Sequence, residues 1–278
     1  MANGPLRKSD RFHAAQGAIL AKIPVVRSPK SLGVFNKEDG DGRQLGNSIL
    51  RNLPRAESTQ IFPVLEFVRL KLHQVLHESG ETIRSGYFLN DGLASVLTTQ
   101  PDGKTVEVGL IGKEGFVGSS VVFGFKTSGL RVVTQGDGTG YRIDADTLLR
   151  LLPQCPELQK NLQRFSMIMG MQSTQLAACN RLHDVVERLA RWLLMSQDRL
   201  GSTAMPLTQE FLSQMLGTRP ASVTVAAGVL QKAGMIEYSR GSVRILSRQK
   251  LEESSCDCYG VIERQKQKWQ SEAGMPTS

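Results

Sequence analysis

The chain has 278 residues, enough for two domains plus tails, and an ordinary hydrophobic content of 40%. Its 34 Lys and Arg outweigh 26 Asp and Glu, a net charge of +8. No apolar run approaches the roughly 18–20 residues of a membrane span, so a cytoplasmic protein is expected. The four cysteines, Cys155, Cys179, Cys256 and Cys258, are too few for a disulfide framework in a chain this long.

Residues 1–44 are rich in Gly, Ser, Lys, Arg and Asp without sustained periodicity, and predict a disordered basic arm. Within it, NKEDGDGRQ resembles half of a calcium loop but lacks the terminal Glu, so a solvated turn is expected. Residues 45–62 predict one or two short helices with Leu45, Ile49, Leu50 and Leu53 on one face. From Leu65 the period becomes two. Phe67–Leu72, Gly86–Leu89, Ala94–Leu97, Thr105–Ile111, Phe116–Phe123 and Leu130–Ile143 alternate, and turn signals such as Asn90-Asp91-Gly92 and Pro101-Asp102-Gly103 punctuate them. Short strands at this spacing predict an antiparallel barrel, sandwich or jelly roll over 45–152. His73 and His77, four apart on a strand, would stand about 13 Å apart, too far to share a metal.

Helix returns at Asp146–Leu152, is broken by Pro153 and Pro156, and resumes as one long helix. Leu158, Leu162, Phe165, Met169, Leu176 and Cys179, with Gln172 as the polar member, step alternately by four and three, which predicts a coiled-coil dimer seam over 153–182. The same stripe would also suit packing on the barrel, and Met167, Ile168 and Met171 widen it enough for both. A second helix, about Asp184–Gln197, carries Val185, Leu189, Trp192 and Leu193 toward the C-terminal domain.

The stretch from Pro206 to Leu246 is the most informative. Thr208 is a good N-cap for a helix to about Leu216, with Phe211, Leu212, Met215 and Leu216 on its apolar face. Gly217 takes the turn, Thr218 or Arg219 caps a second helix, and Pro220 falls near its first position. Val223, Ala226, Ala227 and Leu230 point inward at helical spacing, and Gly234 ends the helix. Ile236–Tyr238 and Val243–Leu246 then alternate around Arg240-Gly241. This order is a helix-turn-helix with a β-wing, and it implies a DNA-binding regulator rather than an enzyme. The charge agrees: residues 201–250 hold six basic against two acidic residues, whereas 45–200 are nearly balanced. Lys232, Arg240, Arg244, Arg248 and Lys250 are candidates for phosphate contacts. The full DNA-facing set is Thr208, Gln209, Thr218, Arg219, Pro220, Ala221, Ser222, Thr224, Val225, Lys232, Arg240, Ser242 and Arg244.

Barrel, long helix and winged helix-turn-helix in this order resemble the Crp/Fnr superfamily of bacterial transcription regulators over about residues 45–260. The strongest motifs are HDVVERLARWLL, LTQEFLSQMLGTRPASVTVAAGVLQKAGMI and DGKTVEVGLIGKEGFVG, and the first two resemble a branch with a CYGVIER-type tail, here Cys258–Arg264. The fold class is therefore α+β: an antiparallel β-roll or jelly-roll sensor domain, a long dimerisation helix, a winged helix-turn-helix over 183–260 and a tail over 261–278. The resemblance implies double-stranded DNA as partner, a homodimer on a near-palindromic site, and RNA polymerase as protein partner.

At the effector site the resemblance fails. Cyclic-nucleotide binders of the family place a Glu after the barrel glycine and an Arg-Ser pair on the next strand. Here Gly118 is followed by Ser119-Ser120, and the aligned pair is Ser128-Gly129, with Arg131 three residues off. Losing both charged groups should weaken phosphate binding severely. Ser173-Thr174 fall where such proteins contact the base. The effector pocket is expected to be degenerate, with no response to cyclic AMP. A barrel that takes an unidentified small-molecule effector, with DNA binding secondary, is the other reading. Iron–sulfur members need cysteines ahead of the barrel, and the first here is Cys155. Cys256 and Cys258 form a CxC in His-free acidic sequence, where metal or redox sensing is one reading but a purely structural pair is the favoured one, so neither metal nor cofactor is expected. In the recognition helix the aligned base-reading positions are Pro220, Ala221 and Val225, leaving Arg219, Ser222 and Thr224 as polar readers. The target site should differ from that of better-known members.

Overall fold

The computed structural model describes residues 38, 39, 41–239 and 241–272; most of the expected basic arm, and Arg240, lie outside them. Asn47 anchors the start of the folded chain. Its side chain accepts from the amides of Ile49 and Leu50 to cap α1 (Ser48–Arg51) and donates to Leu89 O and Gly115 O, both at 2.9 Å. With α2 (Arg55–Ile61) this segment buries Leu45, Ile49, Leu50, Leu53 and Ile61 against the barrel.

Eight strands follow: β1 (Glu66–Leu70), β2 (Val75–His77), β3 (Ser85–Leu89), β4 (Ala94–Thr99), β5 (Thr105–Ile111), β6 (Phe116–Val117), β7 (Arg131–Thr134) and β8 (Gly138–Asp144). They form two antiparallel four-stranded sheets, ordered β1-β8-β3-β6 and β2-β7-β4-β5. Phe88 and Phe116, with ring centroids 4.6 Å apart, Val96, Ile111, Val132 and Ile143 fill the space between. Two local expectations are corrected. The strand expected over Phe116–Phe123 ends at Val117, because Gly118 takes φ +117° and Ser119–Val122 turn into a short helix, α3. A Cβ at Gly118 would also press on Gly86, Phe116 and His77. His73 is not on the strand of His77. It sits in the turn before β2 at φ +60°, where its amide donates to Thr134 O.

Asp144 caps α4 (Ala145–Leu151), and the chain then enters α5 (Pro156–Leu182). Cys155 offers α5 no side-chain cap, and Pro156 lacks an N–H. The Glu57 carboxylate of α2 supplies the missing acceptor, taking hydrogen bonds from the amides of Glu157 and Leu158 at 2.9 and 2.8 Å. Leu158, Leu162 and Phe165 enter the barrel core, Gln172, Leu176 and Cys179 are also buried, and Met169 packs on the barrel half-buried. The stripe read as a dimer seam therefore packs against its own chain, as the second reading of that stripe expected.

Asp184 and Glu187 form a reciprocal capping box that opens α6 (Val185–Leu200), and Gly201 closes it in the left-handed region. The C-terminal unit continues through β9 (Ala204–Pro206), α7 (Gln209–Leu216), α8 (Pro220–Lys232), β10 (Ile236–Ser239) and β11 (Ser242–Ile245). The wing is three-stranded, ordered β10-β11-β9. The tail is helical: α9 (Arg248–Ser254) and α10 (Cys258–Glu272), the latter packing on α5 and α6. This brings Cys179, His183, Cys256 and Cys258 together, a grouping that neither the seam stripe nor the structural reading of the CxC pair anticipates. The second core joins Leu189, Trp192 and Leu193 of α6 to residues of α7, α8 and the wing, and extends into Leu93, Leu97, Leu110 and Val133 of the barrel. The two domains thus share one apolar boundary. Among the described residues no helix is long and apolar enough to cross a membrane.

Candidate DNA interface and effector pocket

The helix-turn-helix forms as its residue chemistry predicts. Thr208 Oγ accepts from the Phe211 amide at 3.1 Å, Gly217 closes α7 at φ +57°, Arg219 is the N-cap of α8 and Pro220 its first residue. Val223, Ala226, Ala227 and Leu230 are buried, so the opposite face of α8 points outward. Pro220, Ala221, Thr224 and Val225 are exposed there, Ser222 and Thr218 are half-exposed, and Arg219 is exposed at the N-terminal end. Val225 leaves 68% of its surface in solvent. Such an apolar side chain on an outward helix face has no core to serve and matches the size of a thymine-methyl contact.

The remaining candidates differ in how free they are. Gln209 and Lys232 are exposed. Ser242 donates to Met205 O at 3.3 Å, and Arg244 lies 3.9 Å from Glu237 across the wing. Arg248 is committed elsewhere: it pairs with Asp198 and Glu252 at 2.8 Å each and donates to Tyr259 Oη and Gln197. Its guanidinium is thus held within the chain rather than left free for a phosphate.

In the barrel, a cavity of about 240 Å³ lies at the expected effector position. Gly118, Ser119, Ser120, Ser128 and Ser173 line it with His77 and the apolar residues Ile83, Val96, Ile111, Phe116, Leu130 and Val132. No Lys, Arg, Asp or Glu is among the lining residues. Arg131 does not line it and instead pairs with Glu78 at 3.2 Å. Thr174 does not line it either; it is exposed on α5 and donates to Gly170 O at 2.9 Å. Three of the polar groups that remain are engaged, while the Ser119 and Ser120 hydroxyls make no hydrogen bond among the described residues. Ser173 donates to Val108 O at 2.7 Å, and Ser128 Oγ accepts from the Leu130 amide at 3.1 Å. His77 Nε2 lies 2.7 Å from Ser85 O, and burial holds its pKa below the ordinary value, outweighing that hydrogen bond, so it supplies no cation at neutral pH.

Two polar links that the sequence did not disclose join barrel to C-terminal unit. Trp192 Nε1 of α6 donates to Glu107 of β5 at 2.9 Å, and Ser95 Oγ lies 2.5 Å from the other oxygen. Burial pushes the Glu107 carboxyl up to about 7 against those hydrogen bonds and the charges of Arg191 and Arg199. Arg199 binds Glu114 at 2.8 Å and Gln172 at 3.1 Å. Burial, the largest single effect, raises the pKa of Glu114, but the charges of Arg199 and Lys266 with the backbone hydrogen bonds together outweigh it and hold the carboxylate below its usual range. Gln172, the polar member of the supposed seam, therefore serves this link.

An eight-stranded roll, a long helix and an outward recognition helix beside a wing define a DNA-binding regulator with a cyclic-nucleotide-binding-like sensor domain. Residues 67–155 match the cyclic nucleotide-binding domain family, and residues 187–254 match the Crp-like helix-turn-helix domain family. The chain belongs to the Crp/Fnr family of transcription regulators. Its fold is similar to a Crp/Fnr-family transcriptional regulator from Eubacterium rectale, with a TM-score of 0.60 at 16% identity, over 73% of this chain and 94% of that one. It is also similar to the c-di-GMP-responsive global regulator CLP of Xanthomonas campestris (TM-score 0.59, 16% identity, 69% and 98% covered). FixK2 of Bradyrhizobium japonicum gives 0.57 at 14% identity over 69% and 98%. No curated protein matches the sequence.

Proposed function

We propose that this regulator acts as a homodimer on a near-palindromic DNA site, with one α8 in each major groove and half-sites about 34–36 Å apart, and that cyclic AMP and cyclic GMP do not control it. The outward face of α8 carries the reading: Arg219, Thr224 and Val225 stay in solvent while the opposite face is buried. Arg219 and Thr224 offer hydrogen bonds to base edges, and Ala221 and Val225 offer apolar contacts. Lys232 and Arg244 neutralise phosphates on either side. RNA polymerase is the protein partner that such regulation requires.

The dimer face moves with the burial pattern. Gln163, Met167, Gly170, Thr174, Ala177 and Arg181 are all exposed on α5, at steps alternating between four and three. Met167 is 64% exposed, and the small residues Gly170 and Ala177 let two helices approach closely. A second copy of α5 is the occupant that this spacing fits.

The uncharged cavity motivates the cyclic-nucleotide claim, since a phosphate needs a cation or converging N–H donors. Its 240 Å³ also favours a second reading, in which the barrel takes a small uncharged effector. Selection of bound fragments from random duplex DNA tests the main reading. It should enrich two inverted half-sites one helical turn apart. Enrichment of a single unrepeated motif, or of none, would contradict it.

A further inference from the structure

The donor atoms of Cys179, His183, Cys256 and Cys258 all lie within 4.8 Å of one another. Cys179 Sγ is 3.5 Å from Cys256 Sγ, and Cys258 Sγ is 3.5 Å from His183 Nδ1. Zinc bonds of about 2.3 Å to sulfur and 2.0–2.1 Å to nitrogen put the corners of a ZnS3N tetrahedron roughly 3.5–3.8 Å apart. The four donors already stand near such corners. A disulfide between Cys179 and Cys256 would use only two of them and leave the approach of Cys258 and His183 without a purpose. An iron–sulfur cluster would spread its thiolates over several irons, wider than this group.

The surroundings suit an anionic metal site. The three cysteines are buried and His183 is half-buried at the rim. Gln175 Nε2 lies 3.1 Å from Cys258 Sγ, the kind of N–H donor that steadies a ligating thiolate. Three thiolates and a neutral imidazole around a divalent cation carry one net negative charge. The buried guanidiniums of Arg188 and Arg191 act electrostatically on Cys179 and Cys256. The Nε atoms of both arginines have no hydrogen-bond partner among the described residues. Arg191 Nη1 reaches only a thioether, Met195 Sδ, at 3.2 Å. A negative site beside these cations adds a counter-charge to what the Leu216 carbonyl gives Arg188 and the Glu107 carboxyl gives Arg191.

We infer that Cys179, His183, Cys256 and Cys258 form a Cys3His site for a single zinc-class divalent ion, which pins the α5–α6 junction to the start of α10. Cys179 and His183 are four apart across the end of α5, Cys256 lies between α9 and α10, and Cys258 opens α10. The ion therefore joins the break between the two long helices to the C-terminal helix. Metal binding displaces the thiol protons, so affinity rises with pH.

Cobalt(II) titration of the full-length chain, reduced and stripped of metal with chelator, tests this. The expected result is saturation at one equivalent per chain with thiolate-to-cobalt charge transfer and tetrahedral ligand-field bands, all lost when one equivalent of zinc is added. Zinc should also raise the melting temperature. Cys258→Ser and His183→Ala should each weaken binding by at least about tenfold, while Cys155→Ser, buried beside Gln60 in the barrel, leaves it unchanged. Absence of saturable cobalt binding by the wild-type chain would overturn the inference, even if a ligand variant fails to fold. So would four thiols of equal reactivity in the zinc-treated protein, or equal loss of binding in Cys155→Ser and Cys258→Ser.

Discussion

The outward face of α8 and the cavity of the β-roll are both polar sites built by rigid elements, but they commit their polar groups differently. On α8 Arg219 is exposed and Ser222 half-exposed, and neither makes a side-chain hydrogen bond among the described residues, whereas Thr224 Oγ1 donates to Pro220 O at 3.1 Å. In the cavity, Ser128, Ser173 and His77 already bond to backbone groups, and Arg131 has turned to Glu78. A site that must recognise something outside the chain keeps its donors and acceptors unspent, because exchanging an internal hydrogen bond for an external one gains little. By that measure Arg219 on α8 is free to meet a ligand, whereas Ser128, Ser173, His77 and Arg131 hold the barrel.

The sharpest way to break the comparison is to charge the two faces of α5. Met167→Asp puts a carboxylate into the proposed dimer face, at a cost of several kcal/mol there. It should yield a folded monomer in sedimentation with weakened DNA binding. Leu162→Asp puts the same charge into the barrel core and should unfold the chain instead. A dimeric Met167→Asp protein would sink the assignment of that face.

The boundary between the regions has its own handle, Glu107. With a folded pKa near 7 against an ordinary 4.5, the native state holds a proton that the unfolded chain releases. Stability from this group is complete below pH 4.5 and is lost as pH rises through about 7. Glu107→Gln should flatten the fall of melting temperature between pH 5 and 8, and stabilise the protein at pH 8 by on the order of 2–3 kcal/mol. Parallel curves for wild type and variant would show that the carboxyl is ionised throughout.

Smaller effects separate base reading from phosphate contact on the DNA-binding unit. Arg219→Ala should weaken binding to a selected site by about 1–3 kcal/mol and binding to random DNA by less. Lys232→Ala or Arg244→Ala should weaken both alike and lower the salt slope by about one. Equal losses on both DNAs for Arg219→Ala would reduce it to a phosphate contact.

Local chemistry foretold the parts that local chemistry decides. The Thr208 cap, the Gly217 turn, Pro220 at the start of α8 and the wing hairpin all formed where single residues dictate backbone geometry. The strand through Phe116–Phe123 misled, because alternation cannot show that Gly118 leaves the sheet. The stripe on α5 misled in a different way. A four-three spacing marks one buried face but not what covers it, and here the chain's own barrel covers much of that stripe. His183 is not legible as a ligand because its cysteine neighbours are Cys179, four residues back, and Cys256 and Cys258, far along the chain. The Trp192–Glu107 and Arg199–Glu114 links share that difficulty, each joining residues 85 apart in sequence.

The most direct test of the contrast between α8 and the barrel is DNA affinity measured by fluorescence anisotropy on a selected palindromic site, with and without millimolar cyclic AMP or cyclic GMP. The account predicts salt-dependent, site-specific binding whose affinity and salt slope are unchanged by either nucleotide. A nucleotide-dependent shift in affinity that disappears in Arg131→Ala would show that Arg131 leaves Glu78 to bind phosphate, and would contradict it.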